Sequence, residues 1–509
     1  MVSAIVIIAA ALAAEFLLGL LGDRWRAAAY GVTLFALGFM AFISAEWVWA
    51  FAAYEAQPVE IFTAGVQPPF AINLRMGLPE AALTLLINLT GLFSALYLKR
   101  ALLEKGRAAM AVLLVFVMAQ NGIVLTRDIF NLFVFFELSV IATGGMMLLS
   151  ADERAVAAGF KYLIVSQVIS AFLLIGIIFS YHATGVLNID LMRPEYFAAL
   201  QAGGLAFFLM FIAVTAELKP FPANGWALDI YESAHPAFAG LFSVASATAT
   251  LYATDKLLMI GGPAWLPIAT GIGIVTFIAA NILALPQRND RRLLGYSSVA
   301  QIGLIFAVLG QRDILGDQYL FVAGGLIAAH AAAKAGLYWL SGLIASRDIT
   351  GWSALRDHPV LIFAFVSFIA LLTGLPPFPG FYAKWELAVA LAGSGRYILL
   401  ALILIGALIE AGYLFRWLGY ALKRDKPAEE IACDPTAVTA IIEALAAGWA
   451  FAYLWGDLSG HGNILHALPI LFALSFLILD WLPAWVKNTV AIGGMVGYFA
   501  LNYAAYDPL

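Results

Sequence analysis

The sequence predicts an all-α, polytopic membrane protein with about 14–16 transmembrane helices. Three observations lead there. Of the 509 residues, 63% are hydrophobic and only 12% are charged, whereas soluble domains carry roughly 25% charged residues. Mean hydropathy is +0.92. Apolar runs of about 18–27 residues recur along the chain, each long enough to cross a bilayer as a helix. A spanning segment must satisfy its backbone hydrogen bonds without water, and a helix does so within itself. This composition excludes a soluble enzyme.

Taken in order, spans are expected at 2–21, 28–50, 78–98, 108–125, 128–149, 155–180, 200–222, 236–258, 264–285, 294–310, 318–344, 359–390 (broken), 396–421, 434–456, 464–482 and 487–504. The first has no basic segment ahead of it and is followed by Gly22-Asp23-Arg24, so it reads as a retained helix rather than a cleaved signal. Residues 53–77, with Gln57-Pro58 and Gln67-Pro68-Pro69, read as a long loop. Orientation follows the distribution of Lys and Arg. Loops after odd-numbered spans hold most of them, including Arg24, Arg26, Lys99, Arg100, Lys105, Arg107, Arg154, Arg288, Arg291, Arg292, Arg347, Arg356, Lys423, Arg424, Lys426 and Lys487. Loops after even-numbered spans are assigned Arg75, Arg127, Arg193, Lys256, Arg312 and Arg396, which puts both termini outside. No low-complexity linker divides the chain. The expected parts are N-terminal helices over 1–107, a first repeat over 108–258, a second over 264–421 and C-terminal helices over 434–509.

Two spans are interrupted in similar words. Residues 372–386 read Leu-Thr-Gly-Leu-Pro-Pro-Phe-Pro-Gly-Phe-Tyr-Ala-Lys-Trp-Glu, and Pro376, Pro377, Pro379 and Gly380 cannot sit in a continuous helix. Residues 217–226 read Glu-Leu-Lys-Pro-Phe-Pro-Ala-Asn-Gly-Trp, so Leu-Lys-Pro-Phe-Pro echoes Leu-Pro-Pro-Phe-Pro. Paired breaks in two halves are a sequence signature of transporters built from internal repeats.

Charges that no loop can claim mark the candidate site, because an ionisable group at membrane depth is costly and commonly lines an ion path. Glu137 lies in the fifth span, Lys161 in the sixth, and Glu217 and Lys219 just before the first break. His330 and Lys334 lie one turn apart on one helix face. Lys384 follows the second break, with Glu386 two residues on. Glu410 and Arg416 lie in the thirteenth span. Glu15, Glu46 and Glu443 read as interfacial or inter-subunit, and Asp229 and Glu232 as capping or lining a loop. Alternating acids and bases suit proton transfer, since each neighbour's charge shifts the next group's affinity for a proton. There is no HExxH motif, and His with Lys is not a metal-ligand pair. The single cysteine, Cys433, excludes disulfides and Cys-ligated zinc or iron–sulfur clusters within the chain. No Walker loop or dinucleotide fingerprint is present, so no cofactor is expected and any redox chemistry belongs to partners. A net charge of −5 carries no nucleic-acid signal.

At these residues the chain resembles the antiporter-like subunits shared by respiratory complex I, Mrp-type cation/proton antiporters and membrane-bound group 4 hydrogenases. The matching motifs are Thr126-Arg-Asp-Ile-Phe-Asn-Leu-Phe-Val-Phe-Phe-Glu137, Trp226-Ala-Leu-Asp-Ile-Tyr-Glu-Ser-Ala-His-Pro236, Asp290-Arg-Arg-Leu-Leu-Gly-Tyr-Ser-Ser-Val-Ala-Gln-Ile-Gly303, the pair His330 and Lys334, and Gly374-Leu-Pro-Pro-Phe-Pro-Gly-Phe-Tyr-Ala-Lys384. The fifth-span motif and the chain length are most similar to the D-type Mrp subunit and its hydrogenase counterpart. The resemblance implies two inverted five-helix repeats, each with a Pro-broken helix, and a hydrated polar axis at mid-membrane. It implies that Glu137 pairs with a seventh-helix lysine and that protons move toward Lys384. Here that lysine position is Glu217, with Lys219 two residues later, the eighth-helix lysine falls near Thr248, and Gln301 stands where some members carry His. The function expected is translocation of protons, with Na+ as a second candidate ion, by one subunit among other membrane subunits in the inner (plasma) membrane. A stand-alone secondary transporter and a scaffold subunit that has lost transport stay open as alternatives.

Overall fold

The computed structural model describes residues 2–459 apart from 55, 64, 151, 200–202, 424–430 and 432–433. The spans expected at 464–482 and 487–504, with Arg424, Lys426, Cys433 and Lys487, lie outside the described residues. The chain divides into two compact units, with the boundary between Ile272 and Gly273. Among the described residues, 11 helices are long and apolar enough to cross a membrane, and three shorter apolar helices accompany them.

The first unit runs through α1 (Ile5–Leu21), α2 (Arg26–Tyr54), α3 (Leu78–Tyr97), α4 (Arg107–Leu125), α5 (Ile129–Met146), α6 (Glu153–Thr184), α7 (Gly203–Glu217), α8 (Gly225–Ser233) and α9 (Pro236–Gly261). The segment expected as a plain loop over 53–77 instead holds a small antiparallel hairpin, β1 (Val59–Phe62) with β2 (Asn73–Met76). The helix α10 (Leu266–Ala284) crosses the boundary. The second unit continues with α11 (Asp290–Leu309), α12 (Tyr319–Ser341), α13 (Pro359–Thr373), α14 (Pro379–Gly393), α15 (Tyr397–Ala421) and α16 (Pro435–Leu458). In each unit one long helix is enclosed and another is not. In the first, 94% of the apolar window of α9 is buried against 33% for α6. In the second, the figures are 94% for α11 and 28% for α15. The enclosed helices are where buried polar groups can find partners.

A similar local device starts corresponding helices in the two units. Asp128 accepts from the Asn131 backbone N–H at 2.8 Å, capping α5, and pairs its backbone with Asn188. Asn289 accepts from the Arg292 N–H at 2.9 Å, capping α11, and pairs with Asp348. Asn188 and Asp348 themselves cap short 3-10 turns.

The two breaks are built differently. After Glu217 ends α7, the N–H groups of Leu218 and Lys219 each close on a carbonyl at 3.0 Å, of Thr215 and Ala216. Lys219 then turns left-handed, with φ +62°, before Pro220 and Pro222. It is the one non-glycine with positive φ among the described residues. That conformation costs an L-residue about 1–2 kcal/mol, so packing must hold it. The second break uses glycine. Gly374, with φ +74°, ends α13, and Pro379 opens α14 at the position where a missing N–H does no harm. A Cβ on Gly374 would lie 3.0 Å from Cδ of Lys384 and 3.2 Å from the Gly380 carbonyl oxygen, so the turn needs glycine for space as well as for φ.

Candidate functional site

In the first unit the broken helix delivers Lys219 into a buried aromatic pocket. The side chain is 0% exposed. Its Nζ lies 4.3 Å from the Phe242 ring centroid and 6.0 Å from those of Trp226 and Tyr231, within cation–π range. It has no hydrogen-bond partner among the described residues. Phe242 opens a π-helical segment, Phe242–Ser246, inside α9, where the sequence suggested an unbroken helix. Such bulges re-aim side chains and cluster at functional sites. Glu217, two residues before Lys219, is also buried. Two residues on a regular helix point about 200° apart. The left-handed turn at Lys219 ends that regularity, and both groups are enclosed.

Glu217 shares its electrostatic surroundings with Lys219, Ser166 and Glu137. The Tyr162 ring is within reach of both carboxylates. Glu137 accepts a hydrogen bond from Gln167 Nε2 at 3.0 Å, and its other oxygen is buried with no partner among the described residues. The first unit therefore gathers Glu137, Glu217 and Lys219. Thr248 is buried in the enclosed helix α9. Lys161 stands apart from this group. Its side chain is 55% exposed and forms an ion pair with Asp229 of α8 at 2.6 Å, so Asp229 holds a partner rather than capping a loop.

In the second unit Lys334 is fully buried on α12, and its Nζ donates to the Leu294 carbonyl at 3.3 Å. His330 is buried one turn earlier. Lys384 uses what the second break leaves open. The interrupted helix frees the carbonyls of Leu372 and Thr373, and Lys384 Nζ donates to them at 3.1 and 3.2 Å. Its acid partner is Glu410 of α15, at 3.7 Å, rather than the sequence neighbour Glu386. Glu410 is 0% exposed and accepts from Gln301 Nε2 at 2.6 and 2.7 Å. Lys334 lies within its electrostatic reach. Glu410, Gln301 and the partly exposed Lys384 thus form one contacting set.

Other charges hold the fold. Lys256, expected in a loop, is buried in α9 and donates to the carbonyls of Ile123, Val124 and Thr126 at 2.7, 3.1 and 2.9 Å. It closes the C-terminal end of α4, where unsatisfied carbonyls and the helix dipole both favour a cation. Nearby Arg127 is 3% exposed and forms a bidentate pair with Asp190, one bond at 2.9 Å. Tyr252 donates to buried Glu80. Arg416 donates to the carbonyls of Leu285 and Gln287 at the end of α10. Glu46 accepts from the Val2 N–H at 3.3 Å, which ties α2 to the start of the chain. Local sequence gave no hint of the carbonyls that hold Lys256 or of the amide that holds Glu410, because these partners lie more than a hundred residues away along the chain.

Residues 126–410 match the family described as NADH:quinone oxidoreductase/Mrp antiporter, TM, which is more than half of the chain. The chain belongs to this family. The NADH-quinone oxidoreductase subunit N of Desulforudis audaxviator is 27% identical to it over 390 residues, covering 73% of this chain and 77% of the relative. The D-type subunit of the Na(+)/H(+) antiporter from Alkalihalophilus pseudofirmus is 28% identical over 317 residues, covering 59% and 63%. The fold is similar to a chain of the membrane-bound sulfane sulfur reductase, an archaeal respiratory membrane complex, with a TM-score of 0.78 at 23% identity over 93% of this chain and 99% of that one. Both sets, from Glu137 to Glu410, fall inside the segment that matches the NADH:quinone oxidoreductase/Mrp antiporter family.

Proposed function

We propose that this chain is a proton-translocating, antiporter-like subunit of a multi-subunit complex of the Mrp, complex I or hydrogenase type, embedded in the plasma membrane. The observation that carries the reading is the set beside the second break: Lys384 on freed carbonyls and paired with buried Glu410, with Lys334 buried in the same unit. Buried ammonium groups at membrane depth are expensive, and a site that loads and unloads a proton gives that cost a purpose. The first unit supplies Glu137, Glu217 and Lys219 as its proton-holding groups, with Lys161 and Asp229 as a peripheral pair. In the second unit His330, Lys334 and Lys384 are the holders. Residues 1–107 then flank a first repeat over 108–258 and a second over 264–421.

Lysine and carboxylate pairs suit this work because each neutralises the other and neither is fixed. A proton arriving on one side changes the charge felt by the next group, which passes its own proton on. The break between α13 and α14 supplies carbonyls that hold an ammonium without any side chain being spent on it. The test is purification of the chain with its neighbours, reconstitution in vesicles and measurement of proton movement, with Na+ present and absent. Glu137→Gln is expected to cut translocation strongly while the complex still assembles. Full transport by an assembled Glu137→Gln complex would remove Glu137 from the path. A chain that purifies alone and transports alone would replace the subunit reading with that of a stand-alone transporter.

A further inference from the structure

The first break keeps a side chain where the second does without one. Each leaves its helix through a residue with positive φ, Gly374 after α13 and Lys219 after α7. Glycine takes that conformation without steric cost, and lysine does not. The Lys219 side chain must therefore repay the strain. It ends in a pocket built by three elements. The helix α8 supplies Trp226 and Tyr231, α9 supplies Phe242, and Tyr162 of α6 packs on Trp226 and Phe242 from behind. All four rings are buried, as is Lys219. Phe242 is the hub of the pocket. Its ring centroid lies 4.3 Å from Lys219 Nζ, 5.6 Å from the Tyr231 ring, 6.0 Å from that of Phe238 and 6.2 Å from that of Tyr162.

No carboxylate is hydrogen-bonded to this ammonium. Among the described residues Nζ has no hydrogen-bond partner, and Glu217, two residues earlier, has a buried oxygen that no donor reaches. What Nζ does face is the electron-rich side of the Phe242 ring, well inside cation–π range, with the rings of Trp226 and Tyr231 at the limit of that range. Phe242 opens the π segment Phe242–Ser246, which departs from the α-helical register of α9 at that turn. We propose that Phe242 is the positioning residue of Lys219, its ring face holding the buried ammonium where an acid would otherwise be needed. Trp226 and Tyr231 complete the cage from α8. A ring cannot accept a proton, so it fixes the ammonium without competing for what the ammonium carries. The effect on transport rests on the proton-translocation reading above; the hold of the ring on Lys219 does not.

The experiment uses the assembled complex with Phe242 replaced by mono-, di- and trifluorinated phenylalanine, and records both melting point and proton translocation in vesicles. The series is made with Lys219 present and in Lys219→Met, with Lys219→Gln as the uncharged background if the methionine variant does not assemble. Fluorine draws charge from the ring face and barely changes its shape, so packing is kept while the attraction for a cation weakens step by step. With Lys219 present, the melting point is expected to fall with each fluorine, by about 2 °C over the series, and the translocation rate by about tenfold. Without the lysine charge the series should leave the melting point unchanged. Equal falls in both backgrounds would make Phe242 a packing residue, and a flat series in both would show that the ring does not hold the ammonium; either result overturns the proposal. Wild-type translocation by Lys219→Met, or by the trifluorinated protein, would overturn the positioning role in transport. If the wild-type complex moved no protons, the translocation reading would fall, and the melting-point comparison would still decide whether Phe242 holds Lys219.

Discussion

Replacing Lys256 with methionine removes a buried ammonium and keeps most of its apolar stem. Three carbonyl oxygens, of Ile123, Val124 and Thr126, lose their donor. The cation also leaves the face of Tyr252, whose ring centroid is 5.1 Å from Nζ. Each buried acceptor left unsatisfied costs roughly 1–3 kcal/mol, so the low end of three such losses is about 3 kcal/mol. The loss falls at the end of α4 and on its contact with α9, and neither Glu137 nor Lys219 takes part in these hydrogen bonds. Thermal unfolding of the purified complex measures it directly, and the midpoint is expected to fall by several degrees. Proton translocation per assembled complex should stay close to wild type. An unchanged midpoint would refute the capping argument. A stable variant that assembles but no longer moves protons would make Lys256 part of the path.

Two further perturbations separate the breaks from the loops that frame them. Gly374→Ala forces a left-handed alanine and pushes its Cβ to 3.0 Å from the Lys384 side chain, so transport should fall along with stability; wild-type transport with an unchanged melting point would show that the close approach is not needed. Burial opposes ionisation of Asp190, but the Arg127 hydrogen bonds and charge outweigh it and hold the carboxyl below its ordinary value. A depressed carboxylate stabilises the fold above its unfolded value of about 3.9 and loses that contribution as pH falls through the lower folded value. Asp190→Asn should therefore lower the melting point at neutral pH by an amount that shrinks on strong acidification, and a constant difference at all pH values would reject the pairing as its source.

Much of the fold was legible because membrane helices announce themselves by length and apolarity. The spans expected at 78–98, 108–125 and 396–421 match Leu78–Tyr97, Arg107–Leu125 and Tyr397–Ala421 within a residue or two. Both breaks could be read from proline, since no other residue both removes an N–H and blocks the preceding turn. The π segment at Phe242–Ser246 could not, because nothing in Phe-Ser-Val-Ala-Ser forbids a regular helix. Buried charge was found by asking which ionisable residues no loop could hold, and that picked out Glu217, Lys219 and Lys334, which are buried, along with the half-buried Glu137 and Lys384 and the exposed Lys161. The same rule misplaced Lys256, which lies near a helix end and looked like a side chain able to reach water. Partners were harder still. Lys384 has Glu386 two residues away in sequence yet bonds to Glu410, because neighbours two apart on a helix face opposite ways while α15 packs against α14.

The measurement that bears most directly on proton carriage compares Lys384→Arg with wild type in one vesicle preparation of the assembled complex. Arginine keeps a positive charge near Glu410 and can donate to the carbonyls of Leu372 and Thr373, but it hardly gives up its proton. If Lys384 works by loading and unloading a proton, the arginine variant assembles, keeps its melting point and translocates almost nothing. If it translocates at the wild-type rate, fixed charge is all the site requires, and Lys384 is not a proton carrier.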